Sequence, residues 1–312
     1  MSKKIKIYEL VIIGAGPAGL TASIYASRYL IRHLVIGAQP GGAILETHQI
    51  DNFPGIENSP GLDFAQKIIQ HARKYGTEII NILAIDIQKK AGSFEIRLAN
   101  GKKILAETVL IATGNKKRTL NVKGEEKFLG KGISYCATCD GFFYKNKNVA
   151  VIGGNDSALA AADYLSQITK EVCIIYRRNR FRAEPFWLNK IEKNKTIKSF
   201  FNSQVTEFLG DNLLEKLIVE NDLKEKKEIK INGVFIEIGS EPDTGFIKIK
   251  IEKDNDGFIK VKNDGRTNIK GIWAAGDITN NSDKFNQVIT AASEGAIAAH
   301  SIYKFLKEKN KD

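Results

Sequence analysis

The stretch YELVIIGAGPAG, residues Tyr8–Gly19, decides the fold of this chain. Its first half, Tyr8–Ile13, is apolar and rich in β-branched residues, as is typical of a strand buried on both faces of a parallel sheet. The glycine-rich second half leads into a helical stretch that ends near Tyr29, and a second strand follows at Leu34–Ile36. A strand, a glycine turn, a helix and a second strand in this order indicate a dinucleotide-binding unit.

The residues of the glycine turn have separate physical roles. Gly14 permits the tight turn, Gly16 lets the backbone approach a pyrophosphate, and Gly19 lets the helix pack closely on the strand. The phosphates would rest on the amides of the first helical turn, where we also place Ala18. One feature departs from the pattern, because the second strand ends in Gly37 rather than in an acid that could bind a ribose.

The same pattern returns later as GGNDSA at Gly153–Ala158, between the strand Asn148–Ile152 and a helix that ends near Ile168. A further strand, Val172–Tyr176, completes this second unit. The matching positions are Gly14 with Gly153, Gly16 with Asn155, Gly19 with Ala158, and Tyr25 with Tyr164. Two copies imply two nucleotides or one decayed copy. Asn155 stands where a glycine is expected, so its side chain is placed to crowd a pyrophosphate.

An arginine cluster, Arg177, Arg178 and Arg182, follows the second strand of the repeat. Arginine at this point suits the 2′-phosphate of NADP(H) rather than the free ribose of NAD(H). The alternative is an ordinary basic surface patch. With Ser157 in the glycine turn, these arginines are our candidate coenzyme-binding residues in the second unit.

The three cysteines of the chain fall into two classes. Cys173 lies in an apolar strand, so we expect a small core residue. The other two form CATCDG at Cys136–Gly141, and a Cys-x-x-Cys pair can close into a disulfide and reopen. Two thiolates without further ligands fall short of a four-ligand metal site. A redox-active dithiol between two nucleotide units therefore suggests electrons that move from one nucleotide, through another, to a disulfide.

The remaining chain predicts further elements. They are an amphipathic helix at Gly61–Tyr75, short strands over Glu78–Leu110 with a hairpin at Asn100-Gly101, the loop Ala112–Gly114, short strands over Thr196–Ile238, a turn at Gly239–Pro242, strands at Gly257–Val261 and Gly271–Ala275, and an amphipathic helix at Gln287–Leu306.

Length and composition restrict the class of protein. A chain of 312 residues is long enough for about two domains. The net charge of +11 comes from scattered lysines, so we expect attraction to an acidic protein rather than to nucleic acid. The apolar run Leu10–Ile13 is too short for a signal peptide, and no stretch approaches the ~20 apolar residues of a membrane span. We therefore expect a cytoplasmic protein that binds neither nucleic acid nor membranes.

Taken together, these motifs resemble the low-molecular-weight thioredoxin reductases over nearly the whole chain. The resemblance rests on CATCDGFF at Cys136–Phe143, on the first glycine turn, on Ala112–Gly114, on the arginine cluster with FRAE at Phe181–Glu184, and on Gly276-Asp277. It implies an α/β fold with two Rossmann-like dinucleotide-binding domains, the second inserted into the first. The FAD-binding domain would comprise residues 1–118 and 243–312, and residues 119–242 would bind NAD(P)H and carry the dithiol. Members of the family are homodimers, and their inserted domain rotates between two positions.

The resemblance also implies the chemistry. NADPH would reduce FAD, and reduced FAD would reduce the Cys136–Cys139 disulfide. Cys139 would face the flavin, Cys136 would attack the disulfide of thioredoxin or a thioredoxin-like protein, and Asp140 would exchange protons with the dithiol. The alternative for Asp140 is a simple turn residue. The implied FAD-binding residues are Gly14, Gly16, Ala18, Gly19, Gly42, Asn52, Ala112, Thr113, Gly114, Gly276, Asp277 and Gln287.

This sequence departs from the family pattern at Asn155, at Tyr176 where a histidine is common, at Asn286 where a basic residue is common, and at Ala43 where a glutamine is common. Three other functions also stay open, of which only the ferredoxin-dependent reductase is supported by one of these departures, Asn155. One is a flavin-dependent dithiol oxidase, one is a ferredoxin-dependent thioredoxin reductase with impaired NADPH binding, and one is a non-catalytic redox sensor.

Overall fold

Helices and strands alternate along most of the computed structural model, which describes residues 7–47 and 50–309. The helices are α1 (Pro17–Arg28), α2 (Gly61–Lys74), α3 (Glu125–Phe128), α4 (Ala137–Asp140), α5 (Asp156–Ser166), α6 (Pro185–Lys193) and α7 (Val288–Lys309). The strands are β1 (Ile7–Ile13), β2 (His33–Ile36), β3 (Ile79–Ile80), β4 (Ala84–Lys90), β5 (Ser93–Leu98), β6 (Lys103–Ile111), β7 (Asn115–Lys117), β8 (Ile133–Ser134), β9 (Asn148–Ile152), β10 (Glu171–Ile175), β11 (Ile197–Phe200), β12 (Ser203–Leu209), β13 (Lys216–Asn221), β14 (Lys226–Lys230), β15 (Gly233–Ile236), β16 (Ser240–Pro242) and β17 (Ile272–Ala274).

The chain divides into two units, each with its own core. Unit 1 runs up to Lys116 and resumes at Glu241, and unit 2 comprises Lys117–Ser240. Unit 2 is thus an insertion in the sequence of unit 1, and the predicted α/β fold class is confirmed. The domain assignments made above, which also name a nucleotide for each segment, stay predictions.

A single sheet of order β3-β2-β1-β6-β5-β4 forms the centre of unit 1, with β17 paired to β6. Strand β1 is parallel to β2 and β6, whereas β4, β5 and β6 form an antiparallel meander. Leu10, Val11 and Ile12 are completely buried, as expected for a strand covered on both faces. Helices α1 and α7 pack on one face of this sheet.

Unit 2 repeats the first part of this arrangement in a parallel sheet of order β11-β10-β9-β15-β8. The order β11-β10-β9 matches β3-β2-β1, and α5 follows β9 as α1 follows β1, so the predicted internal repeat is confirmed. Strands β12, β13 and β14 form a separate antiparallel sheet. Cys173 is a buried residue of β10, as predicted, and burial together with the nearby Glu171 raises the pKa of its thiol to about 11.

The predicted strand at Gly257–Val261 is wrong. In this segment Ile259 forms only isolated bridges, to Lys253 and to Thr279. The side chain of Asp254 accepts two backbone amides of the turn just before it, which competes with strand pairing.

Two other local predictions also need correction. The predicted turn at Gly239–Pro242 contains strand β16, which pairs with β7. Gly239, with φ of +90°, directly precedes this strand. Helix α6 was not predicted, although Pro185 in its first turn is a common helix start.

Candidate functional site

The first glycine turn has the close contacts expected of a nucleotide-binding loop. Gly14 has φ of +118°, and a Cβ there would overlap the carbonyl oxygen of Ala112. A Cβ at Gly19 would overlap the carbonyl oxygen of Gly14, so α1 lies directly on the turn. Only glycine meets both demands, because any larger residue would push the helix away from the strand.

Gly16 faces open space rather than packed atoms. The nearest atom to a Cβ at Gly16 would be the Cα of Gly42, 4.0 Å away. No side chain caps α1, so the amides of its first turn are not taken up by a side chain. A backbone-lined space at an uncapped helix N-terminus is what a pyrophosphate requires, and FAD therefore fits the residues present.

Two other predicted FAD-binding segments, Ala112–Gly114 and Gly276-Asp277, converge on the same edge of the unit 1 sheet. Ala112 follows β6 and donates its amide to the carbonyl of Ile13, 2.7 Å away. The hydroxyl of Thr113 donates to the carbonyl oxygen of Asp243 (3.1 Å). Gly276 follows β17, and a Cβ there would lie 2.9 Å from the Cβ of Ala18. These segments meet because β1, β6 and β17 are parallel neighbours whose carboxyl ends share one edge.

The remaining FAD candidates are also placed. Gly114 has φ of +67° and accepts the amide of Asp243 at 3.0 Å. The side chain of Asn52 donates to that of Gln287 across 2.9 Å, although the two are 235 residues apart. Burial, and then the charge of Glu294, raise the pKa of Asp277 to about 6.

The second glycine turn differs from the first at its centre. Gly153 has φ of +149°, and a Cβ there would overlap the carbonyl oxygen of Glu237. Asn155 has the same extended backbone as Gly16, but its Oδ1 accepts the amide of Ala158 (3.0 Å) and so caps α5. The Ala158 amide therefore already donates its hydrogen bond to this side chain, whereas a coenzyme pyrophosphate would otherwise accept it.

The arginine cluster lies beside this second turn. Arg177, Arg178 and Arg182 are exposed, and no carboxylate of the described residues forms an ion pair with any of them. The amide of Arg182 donates to the carbonyl oxygen of Gly154 (2.6 Å), which ties the cluster to the glycine turn. Ser157 is exposed in the first turn of α5. All four side chains are thus accessible to a ligand.

The two predicted redox cysteines form a disulfide at the start of α4, with their Cα atoms 5.3 Å apart. The amide of Cys139 points to the sulfur of Cys136 (3.1 Å). The hydroxyl of Ser134 accepts the amide of Cys136 (3.0 Å). Cys139 is exposed and Cys136 is half-buried. A donor aimed at the Cys136 sulfur stabilises a thiolate there once the disulfide is reduced.

Asp140 ends α4 one residue after the disulfide. Among the described residues, its carboxylate accepts no hydrogen bond and caps no helix. Burial, and then the charge of Asp140, raise the pKa of Tyr144. The Asp140 carboxylate is thus not engaged in holding a turn, which leaves it available for proton exchange with the dithiol.

A buried carboxylate, Glu125, was missed in the sequence. It accepts the amides of Leu120 (2.9 Å), Asn121 (2.6 Å) and Val122 (3.4 Å), and the hydroxyl of Tyr135 (2.5 Å). Burial and this carboxylate strongly raise the pKa of Tyr135. Since Tyr135 directly precedes the dithiol, Glu125 helps to hold that segment. No local pattern in the sequence indicates this role.

A second missed carboxylate, Glu294, is buried in α7. The sequence pattern of α7 could have indicated this buried carboxylate. With Ala291, Gly295 and Ala298, it occupies the i, i+3, i+4, i+7 spacing of one helix face, so a charged residue lies on the face that packs inward.

Within residues 7–47 and 50–309, no helix combines the length and apolar character needed to cross a membrane. The same residues contain no group of three or more histidine, cysteine, aspartate or glutamate side chains placed to hold a metal ion.

Comparison with known proteins places this arrangement in a family. The profile of the pyridine nucleotide-disulphide oxidoreductases matches residues 8–295. A thioredoxin reductase of Buchnera aphidicola subsp. Schizaphis graminum is 39% identical over 314 residues, which cover 96% of this chain and 97% of that protein. A 34.2 kDa protein in the rubredoxin operon of Clostridium pasteurianum is 38% identical over 317 residues, which cover 98% of this chain and 100% of that protein. The crystal structure of Lactococcus lactis thioredoxin reductase superposes with a TM-score of 0.92 at 34% identity, covering 96% of this chain and 99% of that one. The chain therefore belongs to the pyridine nucleotide-disulphide oxidoreductase family.

Proposed function

We propose that this protein is a thioredoxin-disulfide reductase that uses NADPH and FAD. The observation that carries the proposal is the Cys136–Cys139 disulfide next to Asp140, whose carboxylate has no hydrogen-bond partner among the described residues. FAD and NADPH, when bound, supply the two electrons that reduce this disulfide. The family and its thioredoxin reductase members support the assignment.

The residues of the chain account for the proton and sulfur chemistry. Reduction breaks the S–S bond and needs two electrons and two protons to yield two thiols. We assign the exchange of those protons to Asp140, which directly follows Cys139 in the sequence. A thiolate at Cys136 then attacks a sulfur of the thioredoxin disulfide, which forms a mixed disulfide and releases one thioredoxin thiolate. Cys139 attacks the Cys136 sulfur, which restores the internal disulfide and releases reduced thioredoxin.

The choice of Cys136 as the attacking residue rests on electrostatics rather than on exposure. Cys139 is the more exposed of the two, but its own amide donates to the Cys136 sulfur. An N–H donor at the sulfur favours a thiolate at Cys136 once the disulfide is reduced, and the thiolate is the reactive form. We therefore expect Cys139→Ser to accumulate a mixed disulfide with thioredoxin, and Cys136→Ser to form none. Non-reducing gels after a short incubation distinguish the two variants.

In this proposal each of the two glycine turns binds one nucleotide. The open space over Gly16 and the uncapped α1 suit FAD in unit 1. The exposed arginines Arg177, Arg178 and Arg182 suit the 2′-phosphate of NADPH in unit 2. A homodimer and a cytoplasmic location stay predictions, for which the reductases of the family are the support.

The test is an anaerobic titration of the FAD-loaded protein with NADPH, followed by addition of oxidised thioredoxin. We expect NADPH to bleach the flavin absorbance and thioredoxin to restore it. Cys136→Ser and Cys139→Ser should each bleach with NADPH but reduce no thioredoxin. Cys173→Ser is the matched control, because Cys173 is a buried core residue, and it should behave as wild type.

Other outcomes would assign another function. Thioredoxin reduction by either cysteine variant would show that the pair is structural. Rapid oxygen consumption with a small dithiol would indicate an oxidase. Flavin bleaching by reduced ferredoxin but not by NADPH would indicate the ferredoxin-dependent enzyme, which the cap formed by Asn155 on α5 would then explain.

A further inference from the structure

Glu294 links three points of one loop to helix α7. Its Oε2 accepts the amide of Gly276 (2.8 Å) and the hydroxyl of Thr279 (3.0 Å), and its Oε1 accepts the hydroxyl of Ser282 (2.6 Å). The glutamate is only 8% exposed. A buried carboxylate is stable only when its oxygens are hydrogen-bonded, and these three donors meet that demand.

The far end of this loop has an unusual backbone. Ser282, Asp283 and Lys284 have consecutive φ values of +48°, +51° and +55°, a left-handed turn without glycine. Such residues are strained and persist only where the surroundings hold them. Glu294 holds the first of them, and the ammonium of Lys284 forms ion pairs with Asp254 (2.8 Å) and Asp256 (2.6 Å).

Both ends of the loop adjoin residues that we place around FAD. Gly276 and Asp277 stand at its start, and a Cβ at Gly276 would lie 2.9 Å from the Cβ of Ala18 in the first turn of α1. Gln287, which contacts Asn52, follows three residues after the left-handed turn. Strained backbone is commonly found at ligand-binding loops, where it fixes the geometry of the site in advance.

We infer that Glu294 is a positioning residue for FAD, which holds the Gly276-Asp277 turn and the left-handed turn Ser282–Lys284 in a single arrangement. The inference rests on the proposed function, since it takes FAD as the ligand. The proximity of the two acids supports it, because the charge of Glu294 contributes to the raised pKa of Asp277. A second carboxylate so close to Asp277 is unfavourable by itself, and the hydrogen bonds to the loop account for its presence.

The experiment measures FAD affinity and apoprotein stability separately. Apoproteins of wild type, Glu294→Gln, Glu294→Ala, Ser282→Ala and the Ser282→Ala/Glu294→Ala double variant are titrated with FAD while flavin fluorescence is followed, and each apoprotein is melted without FAD. In Glu294→Gln at least one loop donor loses its hydrogen bond to the carboxylate, and such a bond to a charged group is worth roughly 1.5–3 kcal/mol. The FAD dissociation constant of this variant should therefore rise by about 10-fold or more. Ser282→Ala should raise the FAD dissociation constant by a smaller factor. The Ser282→Ala/Glu294→Ala double variant should bind FAD no more weakly than Glu294→Ala alone, because Ser282 acts through its hydrogen bond to Glu294.

Glu308→Gln is the matched control, since it removes the same charge from an exposed position of the same helix. It should bind FAD as wild type does. The inference is overturned if Glu294→Gln melts at a lower temperature but binds FAD within a factor of two of wild type, or if Glu308→Gln weakens FAD equally. A wild-type apoprotein that binds no FAD would instead contradict the proposed function.

Discussion

At the residue scale, Asn155 caps the helix at whose N-terminus we propose that the coenzyme pyrophosphate binds. It caps α5 by accepting the amide of Ala158, whereas the equivalent Gly16 leaves α1 without a side-chain cap. A pyrophosphate at this turn must displace the cap, which costs about 0.5–2 kcal/mol for an N-cap residue. We therefore predict that Asn155→Gly lowers the dissociation constants of NADPH and NADH alike, by roughly 2-fold to 30-fold at ~1.4 kcal/mol per decade. Equilibrium titration of each coenzyme measures this.

Two control variants separate this effect from charge recognition. Asn155→Asp keeps an acceptor for the Ala158 amide but adds a negative charge beside the phosphates, so it should weaken both coenzymes. Replacing Arg177 and Arg178 by alanine should weaken NADPH and leave NADH nearly unchanged, because only NADPH has the 2′-phosphate. If Asn155→Gly changes neither coenzyme, the cap does not compete with the pyrophosphate.

Asp277 makes the stability of the apoprotein depend on pH. Its pKa in the folded protein is about 6, above the ordinary carboxyl value, so the folded state binds a proton more tightly than the unfolded chain. The stability that Asp277 contributes to the folded apoprotein is therefore fully present below about pH 4 and is lost as the pH rises through about 6. We predict that Asp277→Asn raises the free energy of unfolding of the apoprotein at pH 7 by up to about 3 kcal/mol, and much less at pH 4.

Urea unfolding of both apoproteins at several pH values tests this prediction, and the same variant should bind FAD more weakly. An equal difference in stability at every pH would show that ionisation of Asp277 is not the cause.

At the scale of elements, α7 packs directly against the backbone of α1 at Gly295. A Cβ there would overlap the carbonyl oxygen of Ala18, in the first turn of α1. We predict that Gly295→Ala lowers the free energy of unfolding, because overpacking costs about 1–3 kcal/mol and outweighs the gain of roughly 1 kcal/mol from replacing glycine in a helix. Urea unfolding of the apoprotein measures the change.

Ser293→Ala is the control for this prediction, because Ser293 is exposed on the same helix. Ser293→Ala should leave the free energy of unfolding unchanged or raise it by a few tenths of a kcal/mol, about the difference in helix propensity between serine and alanine. A stabilised Gly295→Ala would mean that α7 can move away from α1 without cost.

At the scale of the whole molecule, unit 1 is interrupted in sequence but its two broken ends are adjacent. The side chains of Lys116 and Glu241 form an ion pair at 3.1 Å, and the connecting strands β7 and β16 are paired. Each unit also has separate hydrophobic clusters. We predict that unit 1, with Lys116 joined to Glu241 by a short glycine-serine linker, folds cooperatively and binds FAD without unit 2.

Thermal melting and FAD titration of the excised protein test this prediction, with the isolated segment Lys117–Ser240 as the control that should fold but bind no FAD. An excised protein that stays unfolded would show that the core of unit 1 depends on the insertion.

The predictable parts of the site are those whose physics is local. Gly14 needs a positive φ and has no room for a Cβ, so glycine is imposed by its immediate neighbours in the strand and turn. The disulfide of Cys136 and Cys139 needs only three residues of chain. The error at Gly257–Val261 has the opposite cause, because an apolar run becomes a strand only when a partner strand is adjacent.

The sequence by itself determined the two glycine turns, the succession of strand, turn, helix and strand along the chain at each of them, the dithiol and the arginine cluster. Each of these depends on residues that are close together in the sequence. Only the tertiary structure decided that Asn52 meets Gln287 and that Glu294 holds the loop after β17. These contacts join segments distant in sequence or depend on which rotamer the packing allows. Hydrogen bonds of this kind form once the hydrophobic faces of the helices and sheets have set the distances between the segments.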